Sequence, residues 1–244
     1  MSKNQLPVTD LANICTMPVA DQRRRLEQKR AFVPPYSLES TRRNLGMLLG
    51  VGDPLFPEMQ RPSQSDILRQ FEQSLPKGSG RAGNERKANL LRAKALLDFR
   101  DNHVGRAATE NHNSFNVSEG TFIKTADPVN LEIDGRSCVI SSDLRKSGTL
   151  TNRGLAVYFS INFHMIVDSD PSFSEFDLLH LDYWQDKTGA VGIATRFHSG
   201  DPDYSYNELN QMIRTTLAIW NDVVESRRSK SQENDDGFWF GQTG

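Results

Sequence analysis

Beyond residue 115 the apolar period of this chain changes from 3.6 residues to 2, so the sequence has to fold as helices followed by a sheet. The alternation is sharpest in VNLEIDGRSCVI, residues 129–140, where Asp134-Gly135 fits the two-residue type I′ turn that matches strand twist. Such a turn fixes register, placing Ile133 opposite Arg136 and Leu131 opposite Cys138. Further strands are predicted at LAVYFSINFHMI (155–166), FDLLHLDYW (176–184) and AVGIATRF (190–197), with Asp186-Lys-Thr-Gly189 turning between the last two. The connections read as too short for crossover helices, which predicts a mainly antiparallel sheet of five or six strands.

The front half reads as short helices broken by Pro and Gly. VADQRRRLEQKRAF has helical composition and must stop before Pro34-Pro35, because the residue ahead of a proline is pushed out of the α region. SLESTRRNLGMLL follows, with Ser37 as N-cap and Gly50 as the stop. In SQSDILRQFEQSL, Ser63 and Asp66 have capping-box spacing. NERKANLLRAKALLDFR carries a helical stripe of Ala88, Leu91, Ala95 and Phe99, joined by Leu90 and Leu97. After the strands, Ser205 and Glu208 again have capping-box spacing, and Leu209, Met212, Ile213, Leu217, Trp220 and Val224 recur on one face. The expected fold is therefore α+β: a basic helical N-terminal region (1–105), then an antiparallel sheet covered by a long C-terminal helix (115–228). The polar segment 229–244 reads as a disordered tail.

Charge is divided unevenly between these parts. Residues 1–110 carry 18 Lys and Arg against 12 Asp and Glu, whereas 111–244 carry 11 against 19. Such a division suits either a cationic surface for a polyanion or two halves that attract one another. The two cysteines, Cys15 and Cys138, allow at most one bridge and predict a reducing compartment. No apolar h-region opens MSKNQLPVTDLANIC, and no run reaches the length of a membrane span, so a cytoplasmic location without membrane contact is expected.

Two stretches carry candidate chemistry. If 155–166 and 176–184 pair as a hairpin in even register, Asn162, His164, His180 and Asp182 gather on one surface, where a His-Asp cluster can bind a metal or move protons. A half-solvated antiparallel sheet would show the same polar outer face. The second stretch is ADPVNLEIDGRSCVISSDLRKSG, residues 126–148. It resembles the core hairpin of the PD-(D/E)XK nuclease family. That resemblance implies a catalytic set of Asp127, Asp143 and Arg145 or Lys146, with Glu85 on the preceding helix as a further ligand. A divalent Mg2+ or Mn2+ would activate water against phosphorus, and the metal donors would be Asp127 and Asp143, supported by His164, His180 and Asp182 from the other cluster.

Gly78-Ser-Gly80-Arg-Ala-Gly83 has the letters of GxGxxG, but a helix and Pro76 precede it rather than a strand, so the dinucleotide reading fails. What remains is a glycine loop ahead of a basic helix. Arg81, Lys87, Arg92 and Lys94 are its candidate contacts to nucleic acid or to an acidic partner. The segment NDDGFWFG sets aromatics beside acids and suits a docking peptide for a protein partner. The function expected from sequence is that of a binding protein acting through its basic helices. The alternatives are a metal-dependent nuclease of PD-(D/E)XK type and a non-catalytic subunit of a larger assembly.

Overall fold

The Asp134-Gly135 turn forms as its sequence requires, with φ of 50° and 76° at the two central residues. It joins β4 (Val129–Ile133) to β5 (Arg136–Asp143), with Ile133 facing Arg136 and Leu131 facing Cys138. The structure, a computed structural model, describes residues 6–29, 38–54, 60–118, 121–145 and 149–239, with side chains through residue 229. Among the described residues six helices come first: α1 (Val8–Cys15), α2 (Val19–Gln28), α3 (Glu39–Arg43), α4 (Leu45–Leu49), α5 (Gln64–Gln73) and α6 (Arg81–His103). Ser63 caps α5 by accepting from the Asp66 N–H, and Gly50 ends α4 in the left-handed conformation at φ 97°. Ser37, the expected cap of the SLESTRRNLGMLL helix, lies outside the described residues.

Helix α6 leads directly into β1 (Val104–Thr109), an edge strand paired antiparallel to β4. A separate two-stranded ribbon, β2 (Phe115–Ser118) and β3 (Thr121–Ile123), follows. The main sheet has the order β1-β4-β5-β6-β7, with β6 spanning Asp177–Gln185 and β7 spanning Val191–His198. β6 and β7 form the expected hairpin, whose turn is held by Asp186 Oδ1 accepting from the N–H groups of Thr188 and Ala190 at 2.9 Å each.

One predicted strand is a helix. Residues 155–166 lie in α7 (Asn152–Asn162) and in the single π turn Phe163–Val167 that extends it. Thr151 caps α7 by accepting from the Gly154 N–H at 3.0 Å. Val157 through Asn162 are all buried, so the helix has no polar face to reveal its 3.6 period. As a crossover between β5 and β6, it makes those strands parallel, with Ser141 beside His180 and Asp143 beside Asp182. The other ladders are antiparallel, so the sheet is mixed but mainly antiparallel, in an α+β fold.

The sheet is covered on both faces. Leu131, Ile133, Cys138, Ile140, Leu179 and Leu181 join Leu48, Phe71, Leu96 and Leu97 of the front-half helices in one apolar cluster. Val139 and Leu178, which alternate with those residues, join α1, α2, α7 and the long α8 (Tyr206–Trp239) in the other. Leu209, Ile213 and Trp220 of α8 are buried there, as the sequence stripe requires. The backbone of α8 continues helical through 229–239, where composition predicts a disordered tail, and 240–244 lie outside the described residues.

Asn13 on α1 ties that helix to the start of α7, accepting from the Thr151 N–H at 2.8 Å and donating to the Thr149 carbonyl at 3.1 Å. A Cβ on Gly154 would stand 2.2 Å from Asn13 Oδ1. Ala is the better helix former, yet Gly154→Ala is expected to lower stability, by about 1–2 kcal/mol, because Asn13 must leave Thr151. In thermal unfolding this corresponds to a drop of roughly 2–4 °C per kcal/mol. An unchanged or raised midpoint refutes it.

Candidate functional site

The parallel register of β5 and β6 assembles a line of buried polar side chains beneath α7. Ser141 Oγ lies 2.8 Å from His180 Nδ1, and His180 Nε2 lies 3.3 Å from Asp182 Oδ1. Arg196 on β7 donates through Nε to Asp182 Oδ2 at 2.6 Å, so the line crosses three strands. The Tyr158 ring of α7 stands edge-on to His180 with centroids 6.0 Å apart. Burial works against the Asp182 carboxylate, but hydrogen bonding and charge from His180 and Arg196 hold it below the ordinary carboxylate range. Serine, histidine and acid in a row are the components of nucleophilic catalysis. Here Ser141 and His180 are both 0% exposed, so the line is an internal polar tie, closed by hydrogen bonds at Ser141–His180 and Asp182–Arg196 and, between them, only by the looser 3.3 Å approach of His180 Nε2 to Asp182 Oδ1.

Of the cluster expected on paired strands, His180 and Asp182 do meet. His164 is not with them: in the π turn its Nε2 faces the Tyr204 carbonyl at 2.9 Å and its Nδ1 lies 3.9 Å from Asp168. Asn162 is buried in α7, where it accepts a hydrogen bond from Thr125. The helical identity of 155–166 separates them, because a helix distributes successive side chains around its axis rather than between two faces. Ser141 and Arg196 are not candidates in the sequence: the parallel β5–β6 register places Ser141 beside His180, and the antiparallel β6–β7 hairpin places Arg196 opposite it.

The acids of the hairpin stretch are also placed apart from the expected donor set. Asp143 is gripped in a fork by Arg145, whose Nε and Nη2 donate at 2.9 and 2.7 Å. Asp127 Oδ2 is buried without a partner, and burial pushes this carboxyl from 3.8 up to about 6 against opposing hydrogen bonding from Ser142 and the charges of Arg42 and His180. Lys146 lies outside the described residues. Among the described residues no group of three or more His, Cys, Asp and Glu is arranged to hold a metal ion, so Asp127, Asp143, His164, His180 and Asp182 do not form one donor set.

The basic helix is α6, and its cations divide by direction. Arg92 turns inward: its Nε donates to the Leu144 carbonyl at 2.9 Å and its guanidinium lies 4.2 Å from the centre of the Tyr183 ring. It is therefore a core residue rather than a contact for nucleic acid. Arg81, Lys87 and Lys94 are exposed. With Gly83, Arg86, Leu90 and Leu91, the two lysines line an open hollow of about 270 Å³ on the outward side of α6. Leu91, placed by its spacing in the core stripe, belongs to neither apolar cluster.

Comparison with known proteins extends over this whole architecture. A family model described as sliding clamp-binding bacterial toxin SocB matches residues 9–230, from the first turn of α1 into α8. The DNA replication inhibitor toxin SocB of Caulobacter vibrioides (strain NA1000 / CB15N) is 25% identical over 247 residues, covering 99% of this chain and all of that protein.

The raised Asp127 carboxyl has a stability consequence. Its folded value of about 6 exceeds the ordinary 3.8, so the folded state holds the proton more tightly than the unfolded chain between those pH values. Stability contributed in this way is complete below pH ~4 and is lost as pH rises through about 6. Asp127→Asn is expected to flatten that slope and to raise stability near pH 7.5 by roughly 1–3 kcal/mol. Denaturant unfolding across pH 4–8 reads both effects, and an equal slope in wild type and variant overturns the assignment.

Proposed function

Because the chain belongs to the family of sliding clamp-binding bacterial toxins named SocB, we propose that it is itself such a toxin: a protein that binds a replication sliding clamp and thereby inhibits DNA replication. The observation carrying this reading is that the family match spans residues 9–230 rather than a short motif, and so takes in the sequence of both helical layers and of the sheet between them. The similarity to a DNA replication inhibitor toxin along its entire length supports the same reading. Action by binding needs a surface complementary to one partner and no reaction centre. That fits a molecule in which Ser141, His180 and Asp182 are engaged with each other in the interior. No helix among the described residues is long and apolar enough to cross a membrane.

Inhibition by occupancy differs from inhibition by catalysis in its stoichiometry. A binder removes clamp one for one and follows mass action, whereas an enzyme disables many partners per molecule. In a reconstituted replication reaction, the purified chain is expected to reduce synthesis in proportion to its ratio to clamp, and added clamp should restore it. Direct binding is measured by calorimetry with the clamp alone. Absence of binding, or inhibition at far below clamp concentration that extra clamp does not relieve, overturns the proposal.

A further inference from the structure

The two edges of the main sheet are built differently. β1 is guarded: its register slips at Gly105, Arg61 donates to the Val104 carbonyl at 3.0 Å and to the Gly105 carbonyl, and Arg106 is exposed. β7 carries none of these devices. Its register on β6 is unbroken from Val191 to His198, it contains no Pro or Lys, and among the described residues β6 is its one strand partner. Ala194 and Thr195, which point to opposite faces at its centre, are both exposed. Two exposed aromatics flank the same edge. Phe197 is 39% exposed on the face that carries Leu179, and Trp184 of β6 is 44% exposed on the other. The indole lies across β7, where a Cβ on Gly192 would stand 2.5 Å from it, so the glycine lets the ring reach toward the rim of the sheet.

We infer that β7 is a self-pairing edge: two copies of the chain join β7 to β7, antiparallel about a two-fold axis at Thr195, and so make one continuous sheet. Charge selects this occupant. Arg196 is neutralised within its own chain, its Nε donating to Asp182 at 2.6 Å, so an acidic or a basic strand finds nothing here to complement. In the register centred on Thr195, Arg196 stands opposite Ala194 of the second copy rather than opposite another arginine. Phe197 stands opposite Ile193 of the second copy, an aromatic and β-branched pair that occurs twice by symmetry and covers an exposed ring. Only Thr195, a small residue, meets itself. One strand pair is smaller than a standard interface, so the association is weak and follows concentration. It is independent of the clamp-binding reading.

Light scattering of the purified full chain across about 1–300 µM tests this. The mean mass is expected to rise with concentration from 27.5 kDa toward twice that value. Thr195→Asp sets two carboxylates against each other on the axis and should weaken the association by roughly tenfold or more, with part of the loss regained at high salt. An acidic residue can also disturb β7 itself, so Thr195→Cys supplies a second reading. Opposed Cα atoms of an antiparallel pair are about 4.5–5.5 Å apart, within disulfide reach, and mild oxidation should therefore join two chains through residue 195. Cys15 and Cys138 are buried and do not compete. Wild type that keeps the monomer mass across this range overturns the inference, as does a dimer that Thr195→Asp leaves intact or that Thr195→Cys fails to crosslink. A monomer whose binding to the isolated clamp is lost in Thr195→Asp would assign the edge to another chain, and it too refutes self-pairing. None of these results removes the clamp-binding reading.

Discussion

The parallel pairing of β5 with β6 is the constraint from which the rest of the molecule follows. A parallel pair needs a connection long enough to leave the sheet and return, and α7 with its π turn is that connection. Once α7 covers one face, that face can no longer be the wet side of an open antiparallel sheet. Its polar residues must then find partners inside. Ser141, His180, Asp182 and Arg196 do so along one line, and Asp143 does so with Arg145. A one-residue slip of β6 would turn its apolar Leu179 and Leu181 against these groups and strand His180 in the other cluster. The polar tie therefore helps to specify the register as well as to hold it.

Charge follows a similar logic. The cationic excess of the front half is not mainly a means of docking onto the acidic half. Arg24 pairs with Asp21, Lys29 with Asp10, Arg43 with Glu39 and Arg86 with Glu72, all within residues 1–110. Arg23 with Asp222 crosses between the halves, and it is a solvent-exposed pair of the kind that contributes little, about 0–1 kcal/mol. The stronger crossing tie runs the other way. Arg227 of α8 stacks near Trp220 and donates to the carbonyls of Leu26, Glu27 and Lys29 at the end of α2, where the helix dipole is negative.

What the sequence revealed and what it concealed divide along a physical line. Local backbone chemistry was legible: the Asp134-Gly135 hairpin, the Ser63 cap of α5, the Ser205–Glu208 box that opens α8 and the Asp186 turn each depend on residues within four positions. Helix α7 was not, because burial on every side removes the polar face from which a 3.6 period is read, and Val157, Phe159 and Ile161 then mimic alternation. The candidate site shared that fate. Its residues come together through a register set by a 33-residue excursion between Asp143 and Asp177, and no spacing in the sequence encodes that juxtaposition. His180 and Asp182 are legible as near neighbours on one strand and Arg196 lies within reach of the expected β6–β7 hairpin, whereas Ser141 requires the parallel register.

The same contrast is visible within α6. Its spacing implies an apolar stripe of Ala88, Leu90, Leu91, Ala95, Leu97 and Phe99, of which Ala95, Leu97 and Phe99 are buried and the other three only partly so, while Ala93 and Leu96, outside that stripe, are buried as well. Leu91 departs from it, because Arg92 takes the adjoining inward place with its guanidinium over Tyr183 and its Nε on the Leu144 carbonyl. Arg92 is buried while the neighbouring Leu91 is only partly so, which for the arginine reverses the usual preference. Arg92 finds its partners internally: Nε and Nη1 donate to the Leu144 and Ala88 carbonyls, and its charge lies on an aromatic face. For Leu91 no compensation exists within either apolar cluster. The inward turn of Arg92 thus leaves Leu91 partly buried and outside both apolar clusters, a departure from the helical stripe that the spacing alone does not reveal.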